Sequence, residues 1–157
     1  MATYFVRNDG NDSNNGSAQG TSGAWKTLTK ALGGSGITGG DTVYIAPGVY
    51  RETVTLGFSS SASTTYIIGD PLATKFSGLT ASSVRVTSYL TTDTLGLSGN
   101  NLISATGKSN VSFDELYLET YAAGIYISSC ENFSLTNSVI SAYALKGNAY
   151  GVYIYQN

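Results

Sequence analysis

The segment GDTVYIAPGVYRE, residues 40–52, decides the fold of this chain. It contains two short runs of alternating apolar and polar residues, and Pro47-Gly48 separates them. A β-hairpin normally turns through Asn-Gly or Asp-Gly, because their positive φ angles match the twist of the paired strands. Pro-Gly suits an open bend instead. We therefore predict that Pro47-Gly48 forms a corner between two strands that lie on different faces.

Two internal repeats extend this pattern along the chain. NVSFDELYL starts at Asn110 and is repeated as NFSLTNSVI from Asn132. GIYI at Gly124 is repeated as GVYI at Gly151. The copies start 22 residues apart in the first repeat and 27 residues apart in the second. A repeat of this length, built from strands and corners, is typical of a solenoid whose single turns cannot bury their apolar faces alone. Stacking the turns about 4.8 Å apart would complete both the hydrogen bonding and the core. The repeats predict an all-β chain that winds as a parallel β-helix.

Apart from one helix, the chain consists of predicted strands and turns, and few of the turns have hairpin signatures. The predicted strands cover residues 3–7, 42–46, 49–56, 64–68, 84–89, 102–106, 111–118, 124–128, 133–140 and 151–155. Because successive side chains of a strand point to opposite faces, Ile125 and Ile127 should point inward. The same should hold for Val152 and Ile154 in the later copy of the repeat.

The alternation also places a set of tyrosines on the outer surface. These residues are Tyr117, Tyr126, Tyr153 and Tyr155. They allow two interpretations that are compatible with each other. In the first, rings on successive turns form an external ladder that stabilises the sheet. In the second, the rings form a carbohydrate-binding face, since tyrosine has a flat apolar body with a polar edge.

AWKTLTKAL, residues 24–32, has helical periodicity, with Ser22 as the predicted N-cap. Its apolar face comprises Trp25, Leu28, Ala31 and Leu32. An open end of a solenoid exposes unpaired backbone groups and invites pairing with other chains. We therefore predict that Trp25, Leu28 and Leu32 lie across the first turn as a structural cap.

The composition argues against several classes of function. Only 11% of the residues are charged, against roughly a quarter in ordinary domains. The net charge is −2 with no basic run, so no nucleic-acid partner is expected. Histidine is absent, which excludes Ser-His-Asp and Cys-His catalysis and imidazole metal sites. Cys130 is the single cysteine, and its expected role is that of a small buried side chain. No apolar run has the length of a secretory signal or a membrane span, so membrane insertion is not expected.

The N-terminal motifs resemble those of a known family. YFVRNDGNDSNNGS, AWKTLTKAL and GDTVYIAPGVYRE are similar to the N-terminal cap and first turn of right-handed parallel β-helix proteins of the pectate-lyase-like superfamily. The likeness covers residues 3–52 closely and the later turns only in style. It implies a right-handed, single-stranded parallel β-helix with a capping α-helix. It does not select an activity, since this superfamily includes polysaccharide lyases, glycoside hydrolases, bacteriophage tailspikes and fibres, and surface adhesins.

No catalytic residues are predicted in this chain. The resemblance implies that a lyase would carry a calcium cluster of acids and a basic residue as general base, and no residues match that pattern. A glycosidase needs two carboxyl groups roughly 5–9.5 Å apart. When the two copies of the first repeat are aligned, no acid stacks on another acid. Asp114 and Glu115 are neighbours that would face opposite ways unless a corner intervenes. We therefore favour a chain that is not an enzyme.

No metal or cofactor is predicted either. Asp9, Asn11 and Ser13, in the loop after the first strand, resemble the beginning of a calcium loop. The glycine expected at the sixth position is missing, and Gly20 stands where the bidentate glutamate should be. Turn chemistry through Asn and Asp side chains explains this loop better.

The predicted organisation has a strand, polar loop and capping helix at residues 1–40, followed by β-helix turns over residues 41–157. The last strand, GVYIYQN, has no capping helix after it, although solenoids need caps to stay soluble. We expect further chain or another subunit to cover that end.

The predicted function is that of a structural module in a phage or phage-like virion, as a tail fibre, tailspike or capsid-attached protein. It would assemble with itself, for example as a trimer, or with other virion subunits after synthesis in the host cytoplasm. Its outer surface would contact a cell-surface polysaccharide. One alternative is the N-terminal part of a polysaccharide lyase or glycoside hydrolase whose catalytic residues lie on later turns. Another is a bacterial adhesin at the cell surface.

Overall fold

The computed structural model describes residues 1–88, 101–120, 123–142 and 150–155. Within these ranges the chain forms thirteen β-strands and one short helix, α1 (Leu28–Leu32). The strands are β1 (Thr3–Val6), β2 (Thr42–Ile45), β3 (Gly48–Arg51), β4 (Val54–Thr55), β5 (Thr65–Gly69), β6 (Val84–Thr87), β7 (Ile103–Thr106), β8 (Ser109–Asp114), β9 (Tyr117–Thr120), β10 (Ala123–Ser128), β11 (Glu131–Thr136), β12 (Val139–Ala142) and β13 (Tyr150–Tyr155). The predicted all-β class is confirmed.

The strands form three parallel sheets. The first sheet has the order β1-β2-β5-β8-β11, the second β3-β6-β9-β12 and the third β4-β7-β10-β13. From β2 onward, each strand pairs in parallel with the strand three elements later. Consecutive strands therefore lie in different sheets, and the chain returns to the same sheet at every third strand. This order explains the scarcity of hairpin turns, because parallel neighbours cannot be joined by a two-residue turn.

The corner predicted at Pro47-Gly48 is confirmed. It joins β2 in the first sheet to β3 in the second. Gly48 has a φ of 146°, a backbone conformation that side-chain-bearing residues rarely adopt. A Cβ at this position would lie 2.5 Å from the Nδ2 atom of Asn8. The backbone angle therefore favours glycine here, and a side chain at this position would also displace the amide of Asn8.

Three segments predicted as single strands each contain two strands. Residues 49–56, 111–118 and 133–140 all bend at a corner and pass from one sheet to the next. At two of these corners Glu115 and Asn137 hold left-handed φ angles of 55° and 45°. At the Glu115 corner the buried apolar positions change from odd to even residue numbers, from Val111 and Phe113 to Leu116 and Leu118. The prediction of one continuous strand overlooked this shift. The strand predicted at 84–89 ends at residue 87, and residue 89 lies outside the described part of the chain.

Both sequence repeats correspond to strand pairing. Val111 of the first repeat pairs with Phe133, its equivalent in the second copy. Ile125 pairs with Ile103 on one side and with Val152, its equivalent in the later GVYI motif, on the other. The sequence repeats are therefore stacking registers, with chemically similar side chains placed above one another on adjacent strands.

One hydrophobic core receives side chains from all three sheets. Its members include Val43, Ile67, Val86, Phe113, Leu118, Ile103 and Ile125. Each is at most 2% exposed, and burying a side chain of this kind contributes about 1.5–3 kcal/mol. Val152 and Ile154 share the face of Ile125 by register, but they are 42% and 64% exposed. Their strand β13 is the last of the third sheet, so no further described strand covers them.

The helix begins later in the chain than predicted. It begins after Thr27, whose Oγ1 accepts a hydrogen bond from the backbone N–H of Lys30 at 3.0 Å, so Ser22 is not the N-cap. Trp25 lies before the helix in an extended segment that pairs with β1, and its N–H donates to the carbonyl of Phe5 at 3.0 Å. The backbone hydrogen bonds of Trp25 are thus made with β1 at the edge of the first sheet and not within a helical turn.

The three residues predicted to form the cap are nevertheless close together, because all of them pack into the same hydrophobic core. Trp25, Leu28 and Leu32 are all buried in the common core. The indole ring of Trp25 stacks on Tyr4 with a centroid separation of 4.9 Å, and its Nε1–H donates to the carbonyl of Asn14 at 2.8 Å. Helix α1 contributes Leu28 and Leu32 to this core, and the extended segment before it contributes the indole of Trp25.

Candidate functional site

A tyrosine surface lies on the outer face of the third sheet. Tyr126 of β10 pairs in register with Tyr153 of β13. Their rings stack with centroids 5.6 Å apart and an angle of 12° between the ring planes. Tyr155 lies two residues beyond Tyr153 on the same strand, and therefore on the same face. We refer to Tyr126, Tyr153 and Tyr155 as the tyrosine face.

A fourth ring extends this surface. The ring of Tyr150 lies 5.2 Å from that of Tyr153 at an angle of 56°. Alternation along β13 assigns Tyr150 to the opposite face, so sequence reasoning did not include it. Because β13 is the last strand of its sheet, its side chains can reach around the edge. Tyr150, Tyr153 and Tyr155 are 41%, 39% and 44% exposed, whereas Tyr126 is half-buried.

Hydroxyl groups continue the tyrosine face across the sheet. Ser104 of β7 pairs with Tyr126, and Ser128 of β10 pairs with Tyr155. Thr106 lies two residues after Ser104 on the same face. The outward positions of β7, β10 and β13 thus combine aromatic rings with hydroxyl groups and carry no charge.

Tyr117 is separate from the other three predicted tyrosines. It belongs to β9 in the second sheet, between Arg85 and Val139 on the adjacent strands. It borders a cleft of about 220 Å³ at the corner between the first and second sheets, together with Glu115 and Asn137. The sequence predicted one outward set of tyrosines, and the described structure divides it between two sheets.

The corner cleft lies beside two adjacent carboxylates, but they do not form a catalytic pair. Oδ1 of Asp114 accepts hydrogen bonds of 2.9 Å from the Oγ1 of Thr136 and from the Nδ2 of Asn137. Asp114 therefore ties together two successive corners of the first sheet. Glu115 is exposed and is the one carboxylate among the described residues that line the cleft. Glycoside hydrolysis needs a second carboxyl group on the other side of the scissile bond.

Four other carboxylates stabilise loops. Each accepts hydrogen bonds from two backbone N–H groups and one threonine hydroxyl. The four residues are Asp12, Asp41, Glu52 and Asp70. Burial of Asp41 opposes its ionisation, yet the hydrogen bonds from Ala2 and Thr38 outweigh this effect and lower its pKa. These acids act as acceptors for loops and for the beginning of α1.

The loop that resembled a calcium site is organised by turn chemistry, as the sequence indicated. Oδ1 of Asn11 accepts from the N–H of Ser13 at 2.9 Å. Asp9 pairs with the guanidinium of Arg7 at 2.6 Å, and this hydrogen bond lowers the pKa of the carboxyl group. Among the described residues, no group of His, Cys, Asp and Glu side chains is arranged to hold a metal ion.

Two further polar groups serve the sheets. The guanidinium of Arg85 on β6 binds the carboxylate of Glu119 on β9, with a distance of 2.9 Å from Nε to Oε2. Cys130 is half-buried against the core, and its Sγ accepts from the N–H of Lys108 at 3.3 Å. Another carboxylate residue, Asp93, lies outside the described part of the chain.

Comparison of the chain with protein-family models, with curated proteins and with solved structures gave no match. The likeness to the pectate-lyase-like superfamily therefore rests on the N-terminal motifs alone. No helix in the described part of the chain is long and apolar enough to cross a bilayer.

Proposed function

We propose that the chain is a right-handed parallel β-helix that serves as a structural, glycan-contacting module of a phage-like appendage. The return of the chain to the same sheet at every third strand supports the solenoid. The buried positions of Trp25, Leu28 and Leu32 support an N-terminal cap. The right-handed winding is inferred from the resemblance of the N-terminal motifs to the pectate-lyase-like superfamily.

The tyrosine face is the observation that carries the proposed contact with a glycan. Sugar rings have apolar faces bordered by hydroxyl groups, and stacked tyrosines offer a matching combination of flat carbon surface and phenolic oxygen. Ser104 and Ser128 add donors and acceptors beside the rings. Because this face carries no charge, it suits contact with uncharged parts of a polysaccharide.

A binding role also accounts for the carboxylates. Among the described carboxylates, Glu52, Asp70 and Asp114 are acceptors for α1, for a loop and for a neighbouring corner. The exposed side chains of Val152 and Ile154 support assembly with a further turn or a second subunit. A virion appendage combines these properties, since it binds a surface polysaccharide and is built from repeated subunits.

Glycan binding by matched tyrosine variants tests the proposal. A glycan array would select a ligand, and titration calorimetry would compare Tyr126→Ala and Tyr153→Ala with the unchanged chain. Tyr66→Ala is the control, since Tyr66 is 41% exposed on β5 of the first sheet. We expect each tyrosine-face variant to weaken binding about tenfold and the control to have no effect. Equal effects of all three variants, or no binding to any glycan, would refute the proposed contact.

The enzymatic alternative requires a second assay. The selected polysaccharide would be incubated with the chain while reducing ends and unsaturated-uronate absorbance are measured. We expect no turnover, and turnover would replace the structural proposal with the lyase or hydrolase alternative. Light scattering after size-exclusion chromatography measures the assembly state, for which we expect more than one subunit per particle.

A further inference from the structure

We propose that Asn15 is a site of spontaneous modification, at which the side-chain amide is lost as ammonia and an aspartate or isoaspartate residue is formed. Asn15 precedes Gly16 in the polar loop between β1 and α1, and this Asn-Gly pair occurs once in the chain. Glycine has no side chain beside its backbone nitrogen, so that atom is open to approach. The reaction consumes only water, and the loop brings together the groups that it uses.

The side chain of Asn15 is folded back along the backbone towards the nitrogen of Gly16. Oδ1 of Asn15 accepts a hydrogen bond of 3.0 Å from the N–H of Ser17. This hydrogen bond closes a ring of atoms that contains both the Cγ of Asn15 and the backbone nitrogen of Gly16. The two atoms that must form a bond are thus kept near each other, which reduces the entropy cost of the reaction.

Ser17 supplies a second donor to the same oxygen. Its Oγ–H donates to Oδ1 of Asn15 at 2.8 Å. When a nitrogen attacks Cγ, negative charge develops on Oδ1, and donors that are already directed at that oxygen stabilise the charge. The backbone N–H and the hydroxyl of Ser17 are therefore placed as an oxyanion hole for attack on Asn15.

Neither of the two reacting nitrogens donates a hydrogen bond to any described residue. The N–H of Gly16 donates none, while the carbonyl of Gly16 accepts from the N–H of Phe5 at 2.8 Å. The amide nitrogen of Asn15 donates none either, and this side chain is exposed, so ammonia can leave into solvent. Five other asparagines have an amide nitrogen that donates to a carbonyl or a side-chain oxygen. They are Asn8, Asn14, Asn110, Asn132 and Asn137.

The reaction has two steps. In the first, the backbone nitrogen of Gly16 bonds to Cγ of Asn15, the bond from Cγ to Nδ2 breaks, and ammonia leaves with the proton of the Gly16 N–H. A five-membered succinimide ring remains. In the second, water opens the ring. Attack of water at Cγ gives aspartate, and attack at the main-chain carbonyl carbon gives isoaspartate, in which the backbone runs through Cγ. No oxidant or reductant takes part.

Isoaspartate at this position would disturb the cap, because it lengthens the backbone by one methylene group. Gly16 is buried against the indole of Trp25, and a Cβ at Gly16 would lie 2.5 Å from Cε2 of that ring. The carbonyl of Gly16 is also bound to Phe5 on β1. A longer backbone shifts Gly16 relative to these two contacts. We therefore expect the modified chain to have a lower Tm than the unmodified chain.

Peptide mapping by mass spectrometry during incubation of the folded chain at neutral pH tests the inference. Modification replaces NH2 by OH, and the change in fragment mass locates the residue. Asn11 is a control in the same loop, since its Oδ1 accepts from the N–H of Ser13 at 2.9 Å but Asp12 follows it in place of glycine. We expect Asn15 to be modified at least about tenfold faster than Asn11.

Ser17→Ala tests the contribution of the fold. Without the hydroxyl donor, modification of Asn15 should slow about tenfold in the folded chain and stay unchanged in urea, where the contact is absent. Unchanged fluorescence of Trp25 would verify that the variant folds. Equal rates at Asn15 and Asn11, a slower reaction in the folded chain than in urea, or an unchanged rate in folded Ser17→Ala would each overturn the inference.

The effect on the cap has its own control. Asn15→Gln has a longer side chain that does not close the five-membered ring, so its mass and its Tm should stay constant during the same incubation. A Tm that falls equally in Asn15→Gln and in the unchanged chain, or that stays constant while isoaspartate accumulates, would overturn the proposed effect of the modification on the cap.

Discussion

Replacement of Phe113 by alanine tests the stacked core directly. Phe113 is 0% exposed on β8 in the interior of the first sheet, and it pairs with Ile67 on one side and with Leu135 on the other. Its ring lies 5.4 Å from that of Phe133. Truncation of a fully buried phenylalanine leaves a cavity and costs about 3–5 kcal/mol. For a chain of this size, that loss corresponds to a fall in Tm of about 6–20 °C.

Phe133→Ala is the matched control. Phe133 occupies β11, the last strand of the same sheet, where it is half-buried. Since part of its ring already contacts solvent, we expect its removal to cost only about 1–2 kcal/mol. Urea unfolding followed by far-UV circular dichroism and by the fluorescence of the buried Trp25 would measure both losses.

The comparison between the two variants decides the outcome. In the stacked arrangement, Phe113 has neighbours on both sides and Phe133 has a described neighbouring strand on one side only. A loss of unfolding free energy below about 1 kcal/mol for Phe113→Ala, or equal losses for both variants, would refute the reasoning. Removal of a ring buried between two neighbouring strands should cost more than removal of a half-buried ring on the last strand.

Three further predictions concern the corners and the loop carboxylates. Glu52→Ala should destabilise the chain by about 1–3 kcal/mol, since it removes charge-assisted hydrogen bonds at the beginning of α1; chemical denaturation would measure this, with exposed Glu131→Ala as a neutral control. Gly48→Ala should cost about 1–3 kcal/mol because alanine does not readily adopt a φ of 146°, and an unchanged Tm would contradict the glycine requirement at this corner. The lowered pKa of Asp41 contributes stability above its ordinary value of 3.8 that is lost as the pH falls through the folded value. Melting curves between neutral and strongly acidic pH should therefore show a shallower acid loss in Asp41→Asn, and an identical pH profile would contradict this.

The sequence was most informative where a residue type has a single physical use. Pro47-Gly48 indicated a corner because proline cannot adopt the positive φ that the first position of a two-residue hairpin turn requires. The repeats at Asn110 and Asn132 indicated strand pairing because stacked strands need similar side chains at equivalent positions. The predictions failed at Trp25, where helical spacing was real but the backbone paired with β1 instead. Periodicity records which side chains face the core, and an extended segment can supply a buried indole as well as a helix can.

The candidate site was only partly predictable. Alternation assigned Tyr126 and Tyr153 to the outer face, and the structure stacks them. It could not separate Tyr117, because alternation gives the face of a residue and does not show that the chain enters another sheet after the corner at Glu115. It also could not include Tyr150, whose ring lies beside Tyr153 at the edge of the sheet.

The amino-acid sequence by itself determined the all-β class, the corner at Pro47-Gly48 and the registers that the two repeats define. These features depend on local backbone preference and on alternation along single strands, both of which are properties of neighbouring residues. Only the tertiary structure decided which strands share a sheet and which tyrosines meet. Such groupings depend on where each corner directs the chain, and the sequence around a left-handed residue such as Glu115 does not state that direction.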